Sequence, residues 1–189
     1  VDLNRQHDPI RVEISKAIKA VLDSSEFIMG KTLENFEERF AKYCGTKYCL
    51  GVGNGGDALR LAGLALGIGP GDEVITVANT FTATVDIIVQ VGAKPVLVDC
   101  DEYFNIDVTQ IEKKITKQTK AIIPVHLYGQ AANMDEVMKL AKKYKLFVIE
   151  DVAQAILKTG KLLKGKQRHQ EIEELYKKDQ QKLVDYNIL

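Results

Sequence analysis

A chain of 189 residues is long enough for one sizeable α/β domain that buries well over half of its chain surface. Its 46 % hydrophobic and 28 % charged residues exclude a disordered chain, and 26 Lys plus Arg against 26 Asp plus Glu leave no net field to draw nucleic acid or an anionic membrane. The balance favours a small molecule or a protein as partner.

The opening VDLNRQHDPIRVEISK lacks the apolar core of a leader peptide, and no run approaches the roughly 18 apolar residues a spanning helix needs. A cytoplasmic protein is therefore expected. Residues 8–23 read as an amphipathic helix with Ile10, Val12, Ile14, Ile18, Val21 and Leu22 near helical spacing. SSEFIMG is a loop, and KTLENFEERFAKYCG a second helix with Leu33, Phe36, Phe40 and Tyr43 on one face and Gly45 as its stop. From there the pattern alternates. KYCLGV, DEVITV, KPVLVDC, KAIIPVH and LFVIED are short apolar runs suited to strands buried on both faces. DALRLAGLALG, TFTATVDIIVQVG, VTQIEKKI and NMDEVMKLAKKY lie between them with helical periodicity, and Pro70-Gly71 and Gly92 mark turns. Such spacing predicts right-handed βαβ units and a mostly parallel sheet covered on both faces, an α/β three-layer sandwich. After residue 155 the chain becomes charged and the alternation stops. The expected division is a domain over 1–155 and a charged helical tail over 156–189.

Cys44, Cys49 and Cys100 are odd in number and lack CxxC or Cys/His ligand spacing, so free, mostly buried thiols are expected and no metal site. GVGNGGDALRL follows an expected strand and opens a helix, which converges backbone N–H groups at a natural phosphate site. Gly51, Gly53 and Gly56 satisfy G-x-G-x-x-G, yet a dinucleotide fold needs an acid at the end of the next strand, about 20 residues on. Asp72 and Glu73 precede that strand, so the dinucleotide reading fails, and tight-packing glycines are the bland alternative. His126 ends a strand on the ligand edge, where a satisfied buried histidine is the favoured reading; His7 and His169 sit in polar surroundings and take no role.

The ordered run of GKTLENFEERFAKYCGTKYCLGVGNGGDALRLAGLALGIGPGDEVIT, ANTFTAT, GAKPVLVD, TKAIIPVHLYGQAANMDEV and FVIEDVAQA, over roughly residues 10–155, resembles the DegT/DnrJ sugar aminotransferases. These are fold-type I enzymes that use pyridoxal 5'-phosphate. The resemblance implies the large domain of that fold, incomplete as the sequence stands. It implies that Gly55, Gly56 and Asp57 meet the cofactor phosphate through backbone N–H groups, and that Phe81 stacks on the pyridine ring, a core aromatic at a helix start being the alternative. Asp151 would pair with the protonated ring nitrogen, and Gln154 would touch the ring hydroxyl, a surface helix glutamine being the alternative. The family more often carries Thr or Leu at the position of Gly56, so a side-chain contact is lost there. The implied reaction moves an amino group, from glutamate as donor, to a nucleotide-linked keto sugar, with the wording GNGGDALRL and ANTF similar to members acting at a 3-keto position. A homodimer with the site completed across its interface is implied as well.

Such enzymes need a Schiff-base lysine, held in the family in a segment of the type S-F-x-x-T-K-N, and this sequence has none. Lys158, Lys161, Lys164, Lys166, Lys177 and Lys178 fall in the charged tail, where solvated lysine is expected. The tail itself resembles later family segments, as though the chain jumps near Ala155. Three accounts fit: a longer enzyme whose lysine segment is missing from the sequence as read, a true internal deletion, or a deliberately shortened chain. The first is favoured, because losing several strands would expose a large apolar edge; a break after about residue 155 is then expected, and a continuous helix through Ala155 and Ile156 would oppose it. The competing expectation is an inactive fragment serving as a cofactor-binding or interaction module. A dehydratase branch, in which histidine replaces the lysine, also stays open.

Overall fold

Four of the five apolar runs pair as strands in a computed structural model that describes residues 3–155. The described residues divide into two units, 3–51 and 52–155. The tail, its lysines and the expected break beyond Ala155 lie outside the described residues.

In the first unit α1 (Leu3–His7) runs into a 3-10 turn, Asp8–Ile10, and then α2 (Arg11–Ser24). Pro9 explains the offset from the expected start at residue 8, since its missing N–H and fixed φ are tolerated only in a first turn. Ser25 ends α2 with φ 56°, and Gly45 ends α3 (Lys31–Cys44) with φ 68°, the left-handed conformation expected of that glycine. Phe36 stacks on Phe40 at 5.4 Å along α3.

The run 47–52 corrects the sequence reading, because it forms no strand. Tyr48 and Leu50 are 76 % and 75 % exposed, so neither face is covered, and among the described residues no strand pairs with this backbone. Its end is held instead by the Glu37 carboxylate, which accepts Gly51 N–H at 2.6 Å.

In the second unit β1 (Glu73–Val77), β2 (Lys94–Val98), β3 (Thr119–Ile123) and β4 (Phe147–Val148) form a parallel sheet in the order β2-β1-β3-β4. Period-2 alternation sends Ile75, Val77, Val98 and Ile122 to one face, where they pack with Ile111 of α6 (Val108–Lys114) and Val137 of α7 (Met134–Tyr144). Val74, Ala121 and Ile123 go to the other, against Leu59 of α4 (Gly55–Ala65) and Ile87 and Ile88 of α5 (Thr82–Gln90). Both faces are thus covered, as the unbroken apolar runs require. Thr76, the one polar side chain within β1's buried run, donates its hydroxyl to Ile123 O at 2.8 Å.

Polar caps set the ends of these elements. Gly71 takes φ 91° in the turn before β1, where Asp72 accepts Gly69 N–H at 2.9 Å. That N–H, with Lys120 behind it, holds the Asp72 carboxyl below its usual range. Asp107 caps α6 by accepting Thr109 N–H at 2.9 Å and Gln110 Nε2–H at 2.8 Å. The Thr109 hydroxyl and then Gln110 hold its carboxyl below the usual value, so the folded state binds that proton less readily than the unfolded chain. The cap's contribution is therefore complete above the unfolded value, about pH 4, and is lost as pH falls through the folded one. Asp107→Ala is expected to cost about 1 kcal/mol at neutral pH. Asp107→Asn should keep most of that and flatten the loss below about pH 4, which thermal melts across pH 2–7 would read.

Cys44, Cys49 and Cys100 are free, as expected, and half-buried rather than mostly buried. Burial raises the thiols of Cys44 and Cys49 above their usual value. Among the described residues no group of three or more His, Cys, Asp or Glu converges, and no helix is long and apolar enough to cross a membrane.

Candidate functional site

Asp151 follows β4 at the carboxyl edge of the parallel sheet, where such sheets bind ligands. LFVIED was expected as a short strand, and only Phe147–Val148 within it is regular. The remainder still tracks β3: Asp151 N–H donates to Pro124 O at 3.0 Å, and Asp151 O accepts His126 N–H at 3.0 Å. That clamp fixes where the side chain starts. Its Oδ2 accepts the Thr84 hydroxyl at 2.9 Å and its Oδ1 accepts Ala153 N–H at 3.2 Å, leaving lone pairs on a half-buried carboxylate for a further donor.

Thr84 lies in the first turn of α5, which Phe81 heads as its N-cap residue. Phe81 is 75 % exposed, which removes the core-aromatic alternative and leaves a free ring beside the turn that meets Asp151.

Asn54 starts α4. Its Oδ1 accepts Asp57 N–H at 2.9 Å, and its Nδ2 donates to Asp57 Oδ2 at 2.9 Å, so a polar cap replaces the anion for that one donor. Asp57 also lies 3.5 Å from Arg60. Among the described residues nothing accepts from the N–H of Gly55 or Gly56, so two helix-start donors remain available. A Cβ added at Gly55 would meet nothing within 4 Å, so tight packing does not account for that glycine; at Gly56 it would lie 3.1 Å from Asn54 Oδ1. The far end of α4 is tied to the start of β3, where Lys120 Nζ donates to Gly67 O. Eleven helical residues and five strand residues both span about 16 Å, so an α4 that runs antiparallel to β3 from that tie would have its start at the carboxyl edge of the sheet.

Gln154 is exposed, and its Oε1 accepts Tyr128 N–H at 2.8 Å. That bond orients the amide and leaves Nε2, a donor, as its open end. Tyr128 holds φ 54° to present that N–H, and its exposed ring meets Phe104 edge-on at 5.8 Å.

His126 is fully buried and satisfied, as its favoured reading expected. Nδ1 accepts Ala132 N–H at 2.9 Å, which places the ring hydrogen on Nε2, 3.0 Å from Glu150 Oε2. The histidine ties the strand edge to the 126–132 turn. Thr80, Thr84 and Tyr128 are the site neighbours that the sequence reading passed over. Thr80 precedes the Phe81 N-cap and Thr84 lies in the first turn of α5, and their hydroxyls meet at 3.1 Å across that helix start.

Residues 8–168 match the DegT/DnrJ/EryC1/StrS aminotransferase family. The chain is 50 % identical over 157 residues to a pleiotropic regulatory protein of Geobacillus stearothermophilus, covering 82 % of this chain and 42 % of that one. It is also 50 % identical to the dTDP-3-amino-3,6-dideoxy-alpha-D-galactopyranose transaminase of Aneurinibacillus thermoaerophilus, covering 82 % and 43 %. Among solved structures it is similar to NtdA of Bacillus subtilis with the bound cofactor PMP, at 42 % identity and TM-score 0.74, covering 76 % of this chain and 33 % of that one. The chain thus spans less than half the length of the relatives it matches.

Proposed function

Because this chain belongs to the DegT/DnrJ/EryC1/StrS aminotransferase family, we propose that it is the cofactor-binding part of a pyridoxal 5'-phosphate-dependent aminotransferase acting on a nucleotide-linked keto sugar, with glutamate as amino donor. The observation that carries this reading is the Asp151 carboxylate, held by donors on both oxygens at the sheet's carboxyl edge beside the exposed Phe81. When bound, the cofactor supplies an electron sink for the carbon that gains or loses the amino group.

The residues present fit that group. Asp151 holds a proton at the ring nitrogen, since its remaining lone pairs accept a charge-assisted hydrogen bond. Gln154 Nε2 donates to the ring hydroxyl oxygen, its orientation set by Tyr128 N–H. Gly55 and Gly56 give the phosphate two N–H donors at a helix start, and the Asn54–Asp57 cap keeps that turn intact around them. Asp57 does not supply the backbone donor that the resemblance implied for it, because its N–H is taken by Asn54 Oδ1. Phe81 covers one face of the ring. Phe81→Ala is expected to weaken cofactor affinity about three- to tenfold, the value of one aromatic stack. Its melting temperature should barely move, since an exposed ring adds little to the core. A fluorescence titration alongside a melt separates the two.

Amination at a 3-keto position is supported by the 3-amino sugar in the name of the Aneurinibacillus relative. We assign the enzyme to the cytoplasm and to a homodimer whose site is completed across the interface, and assign the cofactor domain to residues 1–155 with 156–189 as a tail. A second reading, a non-catalytic cofactor-binding or interaction module, rests on the absence of an S-F-x-x-T-K-N segment from the sequence. Incubating the full-length protein, with the lysine segment that the favoured account assigns to it, with cofactor, 15N-glutamate and a dTDP-linked 3-keto-6-deoxy sugar decides between them. Transfer of 15N to the sugar, seen by mass spectrometry, is the expected result. Cofactor binding without any transfer would overturn catalysis and leave the second reading.

A further inference from the structure

We propose, resting on the cofactor reading above, that Thr84 is a positioning residue that sets the plane of the Asp151 carboxylate, with Thr80 as the hydrogen-bond donor behind it. Thr84 is 1 % exposed, and its Oγ1 lies 2.9 Å from Asp151 Oδ2 and 3.1 Å from Thr80 Oγ1. A carboxylate oxygen only accepts, so the Thr84 hydrogen goes to Asp151. Thr84 can then only accept from Thr80, whose hydroxyl must donate. The direction of the chain Thr80 to Thr84 to Asp151 is thereby fixed.

A helical threonine commonly gives its hydroxyl hydrogen to a carbonyl one turn back. Here that hydrogen is committed to a residue 67 positions away in sequence. The β-branched side chain is stiff at χ1, so Thr84 fixes a donor position more firmly than a serine or lysine would. With Ala153 N–H on Oδ1 at 3.2 Å and the Asp151 backbone clamped between Pro124 and His126, the carboxylate has a donor on each oxygen and little freedom to rotate. The lone pairs left over then point in one set of directions, towards the place where a ring nitrogen is to be held.

The test titrates the chain with pyridoxamine 5'-phosphate labelled with 15N in the ring, following fluorescence for affinity and the 15N resonance for the ring proton. In Thr84→Val the affinity is expected to fall about tenfold, since one hydrogen bond to a charged group is removed. The bound 15N resonance should move towards that of the unprotonated ring. Thr84→Ser, which keeps the hydroxyl, should recover most of both. Thr80→Ala leaves Thr84 in place and serves if Thr84→Val does not fold; it should shift the resonance the same way by less. An unchanged resonance and affinity in Thr84→Val, or in Thr80→Ala where that variant stands in, would overturn the positioning role while leaving the cofactor reading intact. Failure of the unsubstituted chain to bind the probe would overturn the cofactor reading and this proposal with it.

Discussion

Asp151→Asn is expected to lower the affinity for pyridoxamine 5'-phosphate by roughly thirtyfold to a few thousandfold, corresponding to about 2–5 kcal/mol for truncating one side of a close charged pair. The substitution keeps the size of the side chain. Thr84 can still donate to the amide oxygen, the amide NH2 gives up only the bond from Ala153 N–H, and the backbone bonds to Pro124 and His126 do not involve the side chain at all. The fold should therefore survive, with a change in stability of about 1 kcal/mol or less. What disappears is the negative charge, and a neutral amide cannot hold a proton on the ring nitrogen. Fluorescence titration gives the affinity and a thermal melt the stability. Equal affinity in both proteins would mean that Asp151 does not face the cofactor ring.

The largest expected loss of stability is at Ile122. It is fully buried in β3, between Ile75 of β1 and Val148 of β4, and both of those side chains share its face of the sheet. Truncation to alanine deletes three carbons from a site that parallel strands on both sides prevent from collapsing. The expected cost is about 2–5 kcal/mol, a large share of the roughly 5–15 kcal/mol that holds a domain together. For a unit of this size that is a drop in melting temperature on the order of 10 °C or more. Leu97→Ala on β2 is the control, since Leu97 is 44 % exposed and should cost under about 1 kcal/mol. Equal losses at the two positions would contradict the two-faced core.

Much of this architecture was legible because its signals are local. The unbroken apolar runs DEVITV and KAIIPVH call for cover on both faces of β1 and β3, and the helix periods between them dictate crossovers and hence a parallel sheet. Asp151 was reached through the family resemblance, at the end of the apolar run LFVIED. KYCLGV carried the same apolar signal and failed, because a strand exists only where another chain accepts its backbone bonds, and that is not written in the run itself. Phe81 could be read either way, since composition does not say whether an N-cap ring turns inward or outward; its exposure decided it. Thr84 and Tyr128 escaped notice because their roles are bonds to residues 67 and 26 positions away, a pairing that only the fold creates. The glycine loop was read correctly as the start of a helix, while the Asn54 cap that takes Asp57's N–H was missed, although an Asn three residues before an Asp at a helix start is itself a cap signal.

The account stands on Asp151 holding a pyridoxal cofactor, and an equilibrium dialysis of the purified chain against pyridoxal 5'-phosphate, run beside its Asp151→Asn variant, tests that most directly. Saturable uptake approaching one equivalent per chain, greatly weakened in the variant, is the predicted result. Uptake that does not saturate, or that is the same in both proteins, would contradict it.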